Sequence, residues 1–174
     1  MATMVGKQKD IADLLNALIE LDFDAVDAYE VAIDRIDDDG DKATFASFRD
    51  DHERHTRELQ PFVTELGEKP AEKADIKSVL TKGKVVLASL IGDKAILVAM
   101  KTNEDDTNTA YDRAVSRDDV PSHIKEVLMR NREDERRHRA YIEQRLATFD
   151  KTEERAPTSQ GEVPPISQGA TSAR

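Results

Sequence analysis

The chain contains no cysteine and no tryptophan, and glycine contributes only seven of its 174 residues. The missing thiols exclude disulfides, cysteine-ligated zinc and iron–sulfur clusters. No stretch approaches the ~18 to 20 consecutive apolar residues of a membrane span, and residues 1–10 lack the apolar run of a secretory signal. We therefore expect a cytoplasmic protein that does not enter the membrane.

Basic residues are scarce relative to acidic ones. Lysine and arginine number 26 against 36 aspartates and glutamates, which gives a formal net charge of −10. No basic block offsets this charge, so nucleic acid is not an expected partner. Hydrophobic residues make up 38% and charged residues 36%, a balance typical of amphipathic helices rather than of a β-sandwich. The length suits one domain with a substantial core.

Apolar residues recur at intervals of three and four in four long segments. This spacing predicts an all-α fold of four amphipathic helices, because it gives each helix one apolar face. The predicted helices cover residues 8–37, 42–66, 94–117 and a last segment from Pro121 to about 148.

Glycine, proline and aspartate mark the ends of these helices. Gly40 predicts the end of the first helix, and Asp41 is the expected N-cap of the second. Pro61 lies inside the second pattern, where we expect a kink rather than an end because the apolar spacing continues past it. A long crossover with a shorter helix over residues 76–91 is expected to end at Gly92, with Asp93 as the next N-cap.

The segment after Lys151 differs in composition from the rest of the chain. It is rich in proline, serine and threonine and has almost no apolar residues, so it cannot bury enough surface to fold alone. We predict a bundle domain over residues 8–148 and a disordered tail over residues 149–174. An alternative for the tail is a docking peptide at residues 163–166 that contacts a partner.

Six polar side chains interrupt the apolar faces of the four helices near their middles. A single carboxylate does so on the first and third helices, and a pair of residues three apart does so on the second and fourth. Residues three apart share a helix face, and a polar group on a core face needs hydrogen-bond partners or a metal. The six residues are Asp22, His52, His55, Glu104, Glu135 and His138.

The two halves of the chain repeat one spacing. Asp22 precedes Tyr29 by seven residues, and Glu104 precedes Tyr111 by seven. Seven residues is about two helical turns, so each tyrosine shares a face with its carboxylate. The tyrosines are either ordinary bundle residues or hydrogen-bond partners of a metal ligand. The fourth histidine, His123, lies off the core face and is expected at the surface.

The order of a carboxylate helix, a helix with a paired motif, a long crossover and the same again resembles the ferritin-like superfamily. Residues 11–146 are similar to small bacterial ferritin-like proteins of unknown function. The stretches that carry this likeness are residues 14–20 (LLNALIE) and 110–114 (AYDRA). The spacing from carboxylate to tyrosine also resembles that of rubrerythrin-type di-iron proteins. The resemblance implies a four-helix bundle with a di-iron carboxylate type of site at its middle.

Carried over position by position, the resemblance implies that the six inward residues are metal ligands. They are Asp22, His52, His55, Glu104, Glu135 and His138. His52 stands where the family pattern has a glutamate that bridges two metals, and a neutral imidazole cannot replace that bridge. His52 is therefore either a ligand or a hydrogen-bond donor beside the site. Imidazole and carboxylate ligands suit iron, with manganese and zinc as alternatives.

Two functions are compatible with these features. The first is a metal-binding, ferritin-like protein, for which the resemblance implies iron oxidation, iron storage or peroxide scavenging in stress. The second is a non-enzymatic bundle whose inward groups form a buried polar network, acting as a stress-related scaffold or partner-binding protein. A homodimer is the expected assembly. The neighbouring carboxylates Asp24, Asp27 and Asp51 lie at the edges of their helix faces and are expected to be solvated.

Overall fold

Four helices make up the fold in the computed structural model, which describes residues 3–73, 87 and 89–155. They are α1 (Ile11–Arg35), α2 (Asp39–Glu65), α3 (Asp93–Val115) and α4 (Ser122–Arg155). The described part of the chain contains no strand. The predicted all-α, four-helix architecture is confirmed.

The start of α2 differs from its prediction. Asp38, not Asp41, is the N-cap, and its side chain accepts a hydrogen bond from the backbone N–H of Asp41 at 2.9 Å. Gly40 lies within the first turn of α2 and does not end α1. Asp41 is instead fully buried and accepts hydrogen bonds from Tyr141 and Arg145 of α4. Asp38 supplies the cap, and the carboxylate of Asp41 contacts partners about 100 residues away that the local sequence does not reveal.

The start of α3 is joined to the turn between α1 and α2. Gly92 occupies the cap position with a φ of 86°, a conformation that an L side chain rarely adopts. Asp93, expected as the cap, is the first residue of α3. Its carboxylate accepts hydrogen bonds from the backbone N–H groups of Asp37 and Asp38, at 2.8 and 3.1 Å. α2 continues through Pro61 to Glu65, as the apolar spacing predicts.

The four helices pack as two pairs. α1 packs chiefly against α2 and α3 against α4, and contacts of α1 with α3 and of α2 with α4 join the pairs. Two apolar clusters fill the interior, one around Leu14, Leu59 and Tyr111 and the other around Tyr29 and Phe45. Along every helix the six inward polar residues fall between these clusters. The polar layer is therefore shielded from water by apolar packing above and below it.

Some expectations lie outside the described residues. The predicted short helix over 76–91 does so almost entirely, and so does most of the tail over 149–174. α4 continues to Arg155, beyond its predicted end near residue 148. Among the helices described here, none combines the length and apolar character that crossing a bilayer requires.

Candidate metal centre

The structure brings all six inward residues together at the middle of the bundle. Each has a fully buried side chain. They form two overlapping groups of four, and within each group the ligand atoms lie within 4.8 Å of one another. Position A is the group Asp22, His52, His55 and Glu135, and position B is the group His52, Glu104, Glu135 and His138.

Position A has spacings that match a small tetrahedral ion. His52 Nδ1 lies 2.9 Å from Asp22 Oδ1 and 3.4 Å from Glu135 Oε1. His55 Nδ1 lies 3.5 and 3.3 Å from the same two oxygens. Bonds of ~2.0 to 2.1 Å to a tetrahedral zinc ion place neighbouring ligand atoms ~3.3 to 3.4 Å apart. Three of these four distances therefore lie close to those of a four-coordinate site, and the fourth, 2.9 Å between His52 Nδ1 and Asp22 Oδ1, is a hydrogen-bond distance.

Position B is wider. His52 Nε2 lies 3.6 Å from Glu104 Oε1, and His138 Nδ1 lies 3.8 Å from Glu104 Oε2. Position B shares His52 and Glu135 with position A. The two positions therefore adjoin each other, and two residues can contact an ion in either one.

Several ligand atoms of these residues have no hydrogen-bond partner despite complete burial. An unpaired buried polar atom costs ~1 to 3 kcal/mol, so such atoms are rare in folded proteins unless a ligand contacts them. Divalent cations at positions A and B would contact these atoms, and the residues present therefore fit metal ions. The atoms are His52 Nε2, His55 Nδ1, Glu104 Oε2, both carboxylate oxygens of Glu135 and His138 Nδ1.

Two aspartates outside the inner group orient two of the histidines. Asp134 Oδ2 lies 3.3 Å from His55 Nε2, and Asp51 Oδ2 lies 3.1 Å from His138 Nε2. A carboxylate on Nε2 holds that nitrogen protonated and leaves Nδ1 as the lone-pair atom directed inward. Each aspartate contacts the histidine that lies in the other half of the chain.

Asp51 and Asp134 also form a ring of ion pairs with two arginines, which we call the Asp–Arg square. Arg54 donates to Asp51 at 2.6 Å and also to Asp134. Arg137 donates to Asp134 at 2.6 Å and to Asp51 at 2.5 Å. Burial opposes ionisation of Asp51, but hydrogen bonds from His138 and Arg54 outweigh it and lower its pKa far below the usual value. The square therefore neutralises its own two carboxylates.

The expectation that Asp51 is solvated is wrong, and Asp134 was not predicted as part of the site. Asp51 is only 9% exposed. The signal that finds both is a repeated pattern, Asp-x-x-Arg-His, which occurs at residues 51–55 and again at 134–138. Asp24 is also buried rather than solvated, Asp27 is partly buried, and His123 lies at the surface as predicted.

The two tyrosines bind the inner carboxylates across the bundle. Tyr29 donates to Glu104 Oε1 and Tyr111 donates to Asp22 Oδ2, each at 2.6 Å. Of the two readings of these tyrosines, the structure shows the hydrogen bond to an inner carboxylate. The bond goes to the carboxylate of the opposite half rather than to the one seven residues earlier. Each tyrosine therefore ties α1 to α3 and fixes one oxygen of a candidate ligand.

The buried carboxylates at the centre of the bundle favour the binding of positive charge. Burial opposes protonation of His52, but Glu135, Asp22 and Glu104 outweigh it and raise its pKa to about 10. Burial likewise opposes the charged form of His55, whose pKa is nevertheless raised well above its usual value by Asp134, Asp22 and Glu135. Burial raises the pKa of Glu135, but the histidines around it bring that pKa down to about 2. Protons on the histidines, or a metal cation, can supply the positive charge.

Comparison with known proteins identifies a family. Residues 10–117 match the family model described as a domain of unknown function, DUF2383. The match covers more than half of the chain, and the chain therefore belongs to this family. It includes α1, α2 and α3, with four of the six inward residues. No curated protein and no solved structure matches the chain.

Proposed function

We propose that this member of the DUF2383 family binds divalent metal ions, one at position A and a second at position B. The observation that carries the proposal is the set of unpaired, fully buried ligand atoms directed into these positions. A polar network that was complete without an ion would pair those atoms with one another. The six ligands proposed are Asp22, His52, His55, Glu104, Glu135 and His138.

Iron is the ion we propose first, with manganese and zinc as alternatives, because imidazole and carboxylate ligands suit all three. The helix order supports a ferritin-like relationship, since single carboxylates lie on α1 and α3 and paired motifs lie on α2 and α4. A bound iron pair would supply redox chemistry toward oxygen or peroxide. This chemistry is the basis for proposing iron oxidation, iron storage or peroxide scavenging in stress.

The second candidate is a stress-related scaffold whose buried polar network works without metal. One observation favours it: His52 Nδ1 lies 2.9 Å from Asp22 Oδ1, which is a complete ion pair when His52 is protonated. Such networks can fix helix register at a cost in stability. The two functions differ in whether an added ion stabilises the protein.

Metal content and thermal stability distinguish the two candidates. Full-length protein purified without a histidine tag is analysed for metal and then titrated, after chelation, with ferrous, manganous and zinc ions. We expect up to two ions per chain and a rise in melting temperature, because a ligand at 100 times its Kd adds ~2.7 kcal/mol of stability. No bound metal and no rise with any of the three ions would overturn the metal proposal.

Glu135→Ala is the matched variant, because Glu135 belongs to both positions. We expect its metal-dependent rise in melting temperature to be largely lost. If the network needs no metal, ions should leave both proteins unchanged, and the variant should be less stable by ~1 to 3 kcal/mol because its partners lose their counter-charge. His123→Ala is the control, since His123 lies at the surface away from the centre.

A further inference from the structure

The imidazole ring of His52 lies between the two positions, and its two nitrogens face different ones. Nδ1 lies 2.9 Å from Asp22 Oδ1 and 3.4 Å from Glu135 Oε1, on the side of position A. Nε2 lies 3.6 Å from Glu104 Oε1, on the side of position B, and has no hydrogen-bond partner. Among the three buried histidines, the other two have Nε2 beside an aspartate of the Asp–Arg square and present only Nδ1.

We propose that His52 bridges two metal ions, with one ion on each ring nitrogen, an inference that rests on the proposed function. A neutral imidazole has one free lone pair, because its other nitrogen carries a proton. Binding of the second ion therefore displaces that proton to solvent and forms the second metal–nitrogen bond. The bridge is an imidazolate, and no electron is transferred in forming it.

Charge balance supports this form of the ring. The inner carboxylates Asp22, Glu104 and Glu135 contribute three negative charges, while the Asp–Arg square sums to zero. Two divalent ions bring four positive charges, which would leave one uncompensated in a fully buried site, and a buried unpaired charge is costly. The negative charge of the imidazolate is the fourth, so the centre with two divalent ions and a bridging His52 is neutral.

The bridge also has a geometric consequence. The two lone pairs of an imidazole ring point away from each other, so ions on them are held further apart than the ~3.5 to 4 Å typical of two-metal sites. In the alternative arrangement Nδ1 of His52 keeps its proton and donates it to Asp22, so that only Nε2 binds an ion and His52 is a ligand of position B only. Position A then loses one of its four ligands.

Copper(II) is the probe, because it binds imidazole tightly and its unpaired electron reports coupling between two ions. Full-length protein is titrated with copper(II) while bound copper and the integrated electron paramagnetic resonance signal are measured. We expect the first equivalent to give one full spin per chain, and the second equivalent to reduce the low-temperature signal, because the shared ring couples the two spins. His123→Gln is used as the background to remove a surface histidine as a copper site.

Each other outcome has a distinct meaning. Two bound ions with two independent spins, or a single bound ion, would overturn the bridge while leaving metal binding intact. No bound copper would overturn the bridge together with the proposed function. A crystal structure of the zinc-loaded protein, with one ion on each nitrogen of His52, is the independent readout that would confirm the arrangement.

Two glutamine variants separate a shared ligand from an unshared one. His52→Gln should weaken both positions, by more than the ~10- to 100-fold that loss of an outer partner costs. His55→Gln should weaken position A alone and leave one ion with a full spin. Equal loss of one ion in both variants would contradict the bridge. Circular dichroism checks that each variant keeps its helices, and the wild-type titration decides the question if either variant fails to fold.

Discussion

Asp51 and Asp134 act at the scale of single residues, because each fixes the orientation of one candidate ligand. We expect Asp51→Asn and Asp134→Asn to weaken metal binding ~10- to 100-fold, since loss of such a partner frees the imidazole to rotate or change tautomer. The measurement is the Kd for zinc by competition with a chelator. Substitution by asparagine keeps the size of the side chain while removing its charge.

Asp50→Asn is the control for this pair of variants. Asp50 neighbours Asp51 on α2, but its side chain is 63% exposed and pairs only with Arg49 among the contacts described. We expect its Kd for zinc to equal that of wild type. A similar loss of zinc affinity in all three variants would mean that the net negative charge of the protein, rather than the orientation of His55 and His138, determines affinity.

Sequence spacing finds the inner residues because they replace apolar side chains on a regular helical stripe. Asp22, Glu104 and Glu135 are examples, and their inward direction follows from period alone. The same spacing does not predict the burial of Asp51 and Asp134. A residue at the edge of an apolar stripe is covered or exposed according to how the neighbouring helix crosses it. Whether a long arginine reaches back over the edge depends on tertiary packing, which spacing does not determine.

At the scale of helices, hydrogen bonds to Asp41 join the start of α2 to α4. Tyr141 and Arg145 both donate to its carboxylate at 2.6 Å, and the guanidinium of Arg145 adds a second bond at 2.7 Å. We expect Asp41→Ala to lower the free energy of unfolding by ~1 to 3 kcal/mol, because two donors lose their acceptor. Urea denaturation followed by circular dichroism measures the change.

The adjacent carboxylate provides the comparison for Asp41. Asp39 lies in the same first turn of α2 but is exposed, so Asp39→Ala should lower stability by no more than ~0.3 to 1 kcal/mol, through the helix dipole. Equal losses in the two variants would show that Asp41 acts through the helix terminus and not through α4. The sequence predicted an N-cap here because its partners lie about 100 residues away.

The hydrogen bonds of the two buried tyrosines also show how far sequence spacing can predict contacts. Helical period places Tyr29 and Tyr111 on the same faces as Asp22 and Glu104, and this is correct. It does not determine which helix lies opposite each tyrosine. Since α1 packs against α3, the hydroxyl of each tyrosine meets the carboxylate of the other half. The helical period therefore predicts which face of a helix a residue lies on, but not which other helix packs against that face.

For the whole molecule, a rise in pH should lower the stability of the metal-free form and increase the extra stability that a bound metal gives. The folded state raises the pKa of His52 from 6.5 to about 10 and also raises that of His55. The stability from these protons is complete below pH ~6.5 and is lost as the pH rises toward ~10. Glu135 has the opposite shift, from 4.5 to about 2, so its contribution is lost only in acid.

We therefore expect the metal-free protein, kept in chelator, to become less stable between pH ~6.5 and ~8.5. Over the same range, the extra stability given by a saturating metal should increase, because protons and metal compete for the same histidines. Urea denaturation with chelator or with manganous ion, at three pH values, measures both trends. His52→Gln should flatten both, and parallel trends in the two forms of wild type would contradict the competition.

The crossed contacts described for Asp51, Asp134, Tyr29 and Tyr111 give the chain the organisation of a dimer of helical hairpins joined into one polypeptide. The first hairpin is α1 with α2, and the second is α3 with α4. Position A takes three residues from the first hairpin and one from the second, whereas position B takes one residue from the first and three from the second. Neither hairpin can therefore assemble a complete site by itself. A bound ion would therefore contact both hairpins at once and stabilise their packing against each other, in addition to the apolar clusters that already join them.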